Sequence, residues 1–408
     1  MKALNNNAHP LESLLKQHCP NGVEYKPLYE LTFWDKKFAA VDKAWQPKTL
    51  KFTHILAKDL QNLIVPNGDI KLLSTGKFDD YTDIKTAQNL INEGEVLAIP
   101  SGGEANLKYY KGKFVDSGNI LATARDNTNS LKFIYYYLLT RQKDLDSSFR
   151  GGSIKHPEMK KILQIPIPIP PLEIQQKIVE ILDAFTELQA ELQAELHARR
   201  KQYEYYRNKL LSFEELEKRA NAIGGGLKLV SLGEVCETLP KGTLKTSQLT
   251  ANGYPVINSG RDLYGYYSKF NNESNAFTIA ARGEYAGFVN FMDSKFWAGG
   301  LCYPYRSNDE NKLLTKFIYY HLKTNESNIM DSLVARGSIP AINKKDIDKK
   351  LKIPLPPLKV QNDIVEILDK FDTLANDLST GLPAEIDARQ KQYEHYREQL
   401  LSFREKCE

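Results

Sequence analysis

Two glycine-punctuated stretches carry the residue types best suited to contact with a polyanion. Arg336-Gly-Ser-Ile339 leads into a segment where Arg336, Lys344, Lys345, Lys349, Lys350 and Lys352 are set against Asp346 and Asp348. Upstream, Arg150-Gly-Gly-Ser-Ile154 opens a similar segment with Arg150, Lys155, Lys160 and Lys161 against Glu158. Such clusters neutralise phosphates through counterion release, while Ser153, Ser338 and adjacent amides can hydrogen-bond phosphates or base edges. The lysines equally suit a solvated helix face. Aromatic residues interleave with further cations: Lys108 precedes Tyr109 and Tyr110, and Ser259 and Arg261 precede Tyr264, Tyr266 and Tyr267. Together with Ser101 and Gly102 of a Gly/Ser loop, and with Arg282, they make up a candidate DNA-contact set. Arg261 and Arg282 are candidate guanine readers, because a guanidinium fork matches guanine O6 and N7. Tyrosines at this density also suit a core or a sheet face.

No catalytic constellation accompanies these residues. Gly224-Gly-Gly226 and Gly102-Gly103 lack the lysine and the strand–helix context of a phosphate loop. Gly-x-Ser-x-Gly, His-Glu-x-x-His, Asn-Pro-Pro-aromatic and acidic Glu-x-Lys nuclease patterns are missing. Cys19, Cys236, Cys302 and Cys407 lie far apart, and the seven histidines are scattered, so neither a disulfide framework nor a metal site is expected. A net charge of +4 over 408 residues is only mildly basic, so the case for nucleic acid rests on local clusters. No apolar run approaches membrane-span length and no secretion signal opens the chain. A cytoplasmic binding protein without membrane, metal or resident cofactor is the expectation.

The elements that must position these residues are repeated. Leu172–Leu188, LEIQQKIVEILDAFTEL, returns at Leu358–Leu374 as LKVQNDIVEILDKFDTL. Ala198–Phe213, ARRKQYEYYRNKLLSF, returns at Ala388–Phe403 with 12 of 16 positions identical. Ile165-Pro-Ile-Pro-Ile-Pro-Pro171 precedes the first copy and Ile353-Pro-Leu-Pro-Pro357 the second. Weaker matches lie upstream: Lys132-Phe-Ile-Tyr-Tyr-Tyr-Leu138 with Lys316-Phe-Ile-Tyr-Tyr-His-Leu322, Lys113-Phe-Val with Lys295-Phe-Trp, and Arg150-Gly-Gly-Ser-Ile154 with Arg336-Gly-Ser-Ile339. The order is variable domain, helix, variable domain, helix. Such a chain offers one repeated surface to identical partners and two different surfaces for reading.

Apolar residues at steps of three and four make the repeats long helices with a coiled-coil seam. The seam residues are Ile178, Ile181, Phe185, Leu188, Leu192, Tyr203, Tyr206 and Leu210 in the first copy. Ile364, Ile367, Phe371, Leu374, Tyr393, Tyr396 and Leu400 serve in the second. About forty residues at ~1.5 Å each predict a rod near 60 Å. Glu187-Leu-Gln-Ala, Glu191-Leu-Gln-Ala and Glu195-Leu-His-Ala form a four-residue mini-repeat that could act as a spacer ruler, although these are also simply helix-favouring residues. The second copy carries four extra residues and Ser379-Thr-Gly-Leu-Pro383. Gly381 and Pro383 should break it. The variable domains read as mixed α/β, with Lys-Phe-Ile-Tyr-Tyr as a helix on a sheet. Glu214–Gly226 is expected to be a flexible link.

These features resemble type I restriction–modification specificity subunits. The resemblance rests on Ile-Pro-Ile-Pro-Pro-Leu-x-x-Gln, Ile-Val-x-Ile-Leu-Asp-x-Phe and Gln-Tyr-x-x-Tyr-Arg…Leu-Leu-Ser-Phe. Leu11-Glu-Ser-Leu-Leu15 and Cys19-Pro-Asn-Gly-Val-Glu-Tyr25 add to it. It implies an α+β chain with two mixed α/β target-recognition domains alternating with two long helices, packed as an antiparallel coiled coil about a pseudo-twofold. The expected boundaries are 1–170 and 219–356 for the domains, 171–218 and 357–408 for the helices. It further implies a non-catalytic subunit that binds double-stranded DNA, two methyltransferase subunits and restriction/translocase subunits. S-adenosylmethionine and ATP/Mg are then expected on those partners. Two other readings are a specificity subunit serving methylation alone and a coiled-coil scaffold for protein partners.

Overall fold

The computed structural model describes residues 17–377 and 379–406; Leu11–Leu15 and Cys407 lie outside them. The helices that position the site are α1 (Leu131–Thr140), α2 (Leu172–Leu210), α3 (Phe213–Ala222), α4 (Thr315–Thr324), α5 (Leu358–Asn376) and α6 (Leu382–Leu400). The chain forms two compact units, Met1–Ala190 with Ala388–Glu408, and Glu191–Asp387. Both are of the expected α+β class.

In the first unit a six-stranded mixed sheet runs in the order Thr32–Trp34, Asn119–Ala124, Asn92–Pro100, Lys108–Asp116, Ile70–Leu73, Asp79–Thr82. Its pairs are antiparallel except Ile70–Leu73 with Lys108–Asp116, where Leu73 lies level with Asp116. One face packs on α1 through Phe133, Ile134 and Leu138, all buried. The same core takes in Ile174, Ile178 and Leu182 from the start of α2, and Tyr393 and Leu400 from α6. Phe185 rings lie 6.2 Å from Tyr393 and 5.6 Å from Tyr396, while Gln189 bonds Gln390. One number rises as the other falls, so these helical segments run antiparallel.

The second unit repeats the plan with a smaller sheet, Cys236–Thr238, Cys302–Ser307, Ala276–Ala280, Val289–Met292, beside a three-stranded one built on Tyr254–Ile257. Its core joins α4 to Val360, Ile364 and Leu368 of α5 and to Tyr203 and Leu210 of α2. Tyr206 stacks on Phe371 at 5.5 Å, the counterpart of Tyr396 on Phe185.

Each proline-rich punctuation ends in a strand paired with the start of its own domain: Pro166–Ile169 with Glu24–Pro27, and Lys352–Leu355 with Lys228–Ser231. The glutamine three residues after the Pro-Pro-Leu start is fully buried in both copies. Gln175 accepts from the Ser130 amide at 2.9 Å and donates to Pro170 O; Gln361 accepts from the Leu314 amide at 2.9 Å and donates to Pro356 O. This buried amide ties each domain to the first turn of its helix, which explains the spacing of the motif.

Two expectations need correction. The segment after α2 is not a flexible link: Ser212 caps α3, whose Leu216 and Ala220 are fully buried, and a Cβ on Gly225 would meet the Pro357 ring at 2.5 Å. Phe213 begins α3 rather than ending α2 and is half exposed, and Leu374 is exposed rather than seam-buried. The break at Gly381 is present. α5 ends at Asn376, Asp377 accepts from the Ser379 amide, and a Cβ on Gly381 would meet Thr373 O at 2.4 Å. Within the added stretch of the second copy, Ser379 and Thr380 lie in a turn.

Candidate nucleic-acid interface

Three loops meet on each domain. In the first they are Ser74–Lys77, Ser101–Asn106 and the hairpin tip Arg150–His156. The Gly103 amide donates to Lys155 O at 2.8 Å and His156 Nδ1 lies 2.7 Å from Ser101 O, which locks the second loop to the third. Lys77, Asn106, Ser153 and Lys155 line one cavity of about 800 Å³. Gly103, at φ +109°, lies in the left-handed region that only glycine enters freely.

In the second domain the loops are Asn258–Tyr264, Ala281–Ala286 and the tip Ala335–Ala341. The Gly283 amide, again at φ +103°, donates to Pro340 O at 2.9 Å, and Arg282 bridges Ala341. The Arg261 guanidinium sits 5.8 Å from the Tyr285 ring and 5.9 Å from Phe288, joining the first loop to the second. Tyr264 bonds the Thr246 hydroxyl at 3.0 Å and Tyr266 is exposed on a short strand. Ser259 stands half exposed in the first loop.

Strand register fixes which positions correspond. Leu73 pairs with Asp116 as Ile257 pairs with Ala298, so Ser74-Thr75-Gly76-Lys77 corresponds to Asn258-Ser259-Gly260-Arg261. The Ser-Thr-Gly-Lys and Asn-Ser-Gly-Arg strings carried that signal in the sequence, and Lys77 was missed. Phe149 pairs with Pro157 and Arg150 with His156; Val334 pairs with Ile342 and Ala335 with Ala341. The two tips therefore align without a gap. Arg336 corresponds to Gly151, not to Arg150, which corrects the alignment read from sequence.

Several candidate cations and tyrosines are engaged inside their domains. Lys108 donates to Ser74 O at 2.7 Å and Gly76 O at 2.5 Å, and burial lowers its pKa. It fastens the first loop from below. Tyr109 donates to Glu95 at 2.7 Å and packs on Tyr135; burial, then Glu95, pushes its phenol up. Lys344 pairs with Asp348, which also receives the Tyr305 hydroxyl. Exposed at the loops are Lys155, Ser153, Arg282 and Ser338, with Gly102 half exposed, while Lys345 is exposed on the following helix. Arg150 and Arg336 are exposed but paired with Glu158 at 3.2 Å and Asp331 at 2.6 Å. Such surface pairs contribute about 0–1 kcal/mol and yield readily to phosphate.

Of the helical residues, Ile178, Tyr203, Leu210, Ile364, Tyr393 and Leu400 are buried. Ile181, Phe185, Leu188, Leu192, Tyr206, Ile367 and Phe371 are partly buried, and Tyr396 is exposed at 37%. Among the described residues no helix is long and apolar enough to cross a membrane, and no His/Cys/Asp/Glu group could hold a metal ion.

Paired α+β domains with basic glycine loops, each seated on a repeated helix, define a DNA-specificity protein. Residues 53–199 and 225–388 match the family described as the type I restriction modification DNA specificity domain. The chain belongs to this family, the type I restriction–modification specificity subunits. It is 32% identical over 403 residues to a putative type I restriction enzyme specificity subunit of Haemophilus influenzae, covering 91% of this chain and 98% of that one. It is 34% identical over 311 residues to the EcoR124I/EcoR124II specificity subunit of Escherichia coli, covering 70% and 74%. The crystal structure of the type I S subunit from M. genitalium shares the fold at a TM-score of 0.68 and 19% identity, covering 98% of each chain.

Proposed function

We propose that each three-loop face reads one half of a bipartite, asymmetric DNA site, with α2, α5 and α6 setting the gap and docking two methyltransferase subunits. The chain acts by recognition alone. Methylation with S-adenosylmethionine and ATP/Mg-driven cleavage belong to methyltransferase and restriction/translocase partners. One observation carries this reading. The main bonds that seat each domain on its helix recur, Gln175 and Gln361 each accepting from a backbone amide and donating to a proline carbonyl, whereas the loops differ in the residues they present. A shared seat suits identical partners, and unlike faces suit unlike half-sites.

The test is methylome sequencing of DNA from cells expressing this chain with its cognate methyltransferase subunit. A split methyladenine motif with unlike halves, absent without this chain, is expected. Identical methylation with and without the chain would overturn the reading in favour of a protein scaffold.

A further inference from the structure

The joined second and third loops carry their cations at different positions in the two domains: Arg150 and Lys155 of the first tip stand opposite Ala335 and Pro340 of the second. In the opposite sense, the first domain has Gly102 where the second has Arg282, next to the donor of the shared amide-to-carbonyl bond, and Gly151 where the second has Arg336 in the tip. The first loop carries a cation in both domains, Lys77 opposite Arg261. The backbone frame is held: Gly103 and Gly283 keep the same left-handed φ and their amides the same kind of acceptor. Only the side chains that the frame projects have changed.

Building on the proposed function, we propose that Arg282 determines specificity in the second domain by reading a guanine in the major groove. The first domain, with Gly102 there, offers no side chain and imposes no such requirement. Arg282 is exposed, and among the described residues its guanidinium meets no carboxylate. Its own backbone is fixed by the bridge to Ala341, so the fork projects from a rigid base rather than a loose tip. Arg336, in a surface pair with Asp331, and Arg261, resting on Tyr285 and Phe288, are left for phosphate contacts. A guanidinium, unlike an ammonium, presents two parallel donors to guanine O6 and N7.

The experiment compares methylomes of cells carrying the methyltransferase with the native chain, R282G, R282K or R282Q. R282G is expected to relax one G·C pair of the second half-site to any base. Methylation of the original sites should fall about 5- to 150-fold, the equivalent of ~1–3 kcal/mol of base discrimination. The first half-site and the spacer should not change. R282K, which keeps the charge and can reach O6 and N7 but lacks the planar fork, should keep the preference for guanine more weakly than the native chain. R282Q should move the preference from guanine to adenine, a change of base that impaired folding cannot produce. An unchanged motif in R282G or R282Q, or uniform weakening at all bases, overturns the assignment. If the native chain gives no split motif, it is the proposed function that fails.

Discussion

The hydroxyl of Tyr136 on α1 donates to Asp183 on α2 at 2.6 Å, and Lys132 reaches the other oxygen of the same carboxylate at 2.7 Å. Tyr320 and Lys316 of α4 repeat this on Asp369 of α5, at 2.5 and 2.8 Å. Burial, then the carboxylate, pushes both phenols up, so both remain donors. Together with Gln175 and Gln361, these carboxylates fasten each domain to its helix at two points. Asp183→Ala leaves a half-buried ammonium and a phenol without their acceptor, so a loss of about 1–3 kcal/mol is expected. Asp369→Ala should cost the same. Hydrogen exchange should show the loss confined to the unit that carries the substitution. Unaltered exchange at α1 in the Asp183 variant would refute the clasp.

Much of this frame was legible in the sequence. The helix repeats, the α1 and α4 segments and the break at Gly381 follow from periodicity and from backbone chemistry that permits few alternatives. The sites were less legible, because similarity cannot detect a one-residue shift. Arg150 looks like the partner of Arg336, and only the cross-strand register shows that Gly151 is. Lys108 and Tyr109 read as groove contacts by type, yet Ser74 O, Gly76 O and Glu95 claim their polar atoms. Gly224-Gly-Gly226 looks like a linker, but the preceding helix buries Leu216 and the glycines let the chain pass Pro357. In each instance a long-range contact decided what local composition left open.

His54 makes the first domain sensitive to pH. Its Nδ1 lies 2.7 Å from Asp116 and its Nε2 3.0 Å from Asp35, both buried carboxylates. The Asp116 hydrogen bond, then that of Asp35, outweighs desolvation and raises its pKa to about 9. A pKa raised on folding above ~6.5 stabilises the folded state fully below that pH, and the contribution is lost as pH rises through 9. Asp116 also accepts from the Gly118 and Asn119 amides, next to the Ser101 loop. The first domain should therefore lose stability between pH 6.5 and 9, and His54→Gln should flatten that slope. An NMR titration of His54 with a midpoint near 6.5 would sink the argument. Ala298 stands where Asp116 does in the second domain, so no matching slope is expected there.

The mini-repeat in α2 permits a test of length. The helix is continuous through Glu191–Ala194. Removing these four residues shortens it by about 6 Å and turns it about 40° beyond a full turn. Apolar periodicity is nearly kept, so both domains should still fold and both half-sites should persist in the methylome. Only the number of unread base pairs between them should change. A changed half-site, or an unchanged spacer, would remove the helix from the role of ruler.

The final prediction concerns how the first unit is closed. After α6 the chain runs back to the start of the first domain: the Val23 amide donates to Arg404 O at 2.8 Å and the Lys406 amide to Val23 O at 3.0 Å. The Tyr25 hydroxyl donates to Phe403 O at 3.0 Å, Phe403 packs edge-on to Phe133, and Leu401 is buried. In the second unit the corresponding Leu-Leu-Ser-Phe continues covalently into α3, so there the same junction needs no such pairing. Ending the chain after Leu400 removes a buried leucine, an aromatic contact and three hydrogen bonds, a loss of at least ~3 kcal/mol. Gly22→Ala is a gentler lesion. Its φ of +92° disfavours a side chain, and a Cβ would come 2.5 Å from Arg404 O. In both variants amide exchange should quicken along Glu24–Pro27 and Pro166–Ile169 while Lys228–Ser231 keeps its protection. Equal protection of the two strand pairs in the truncated chain would show that the C-terminal segment does not hold the first unit together.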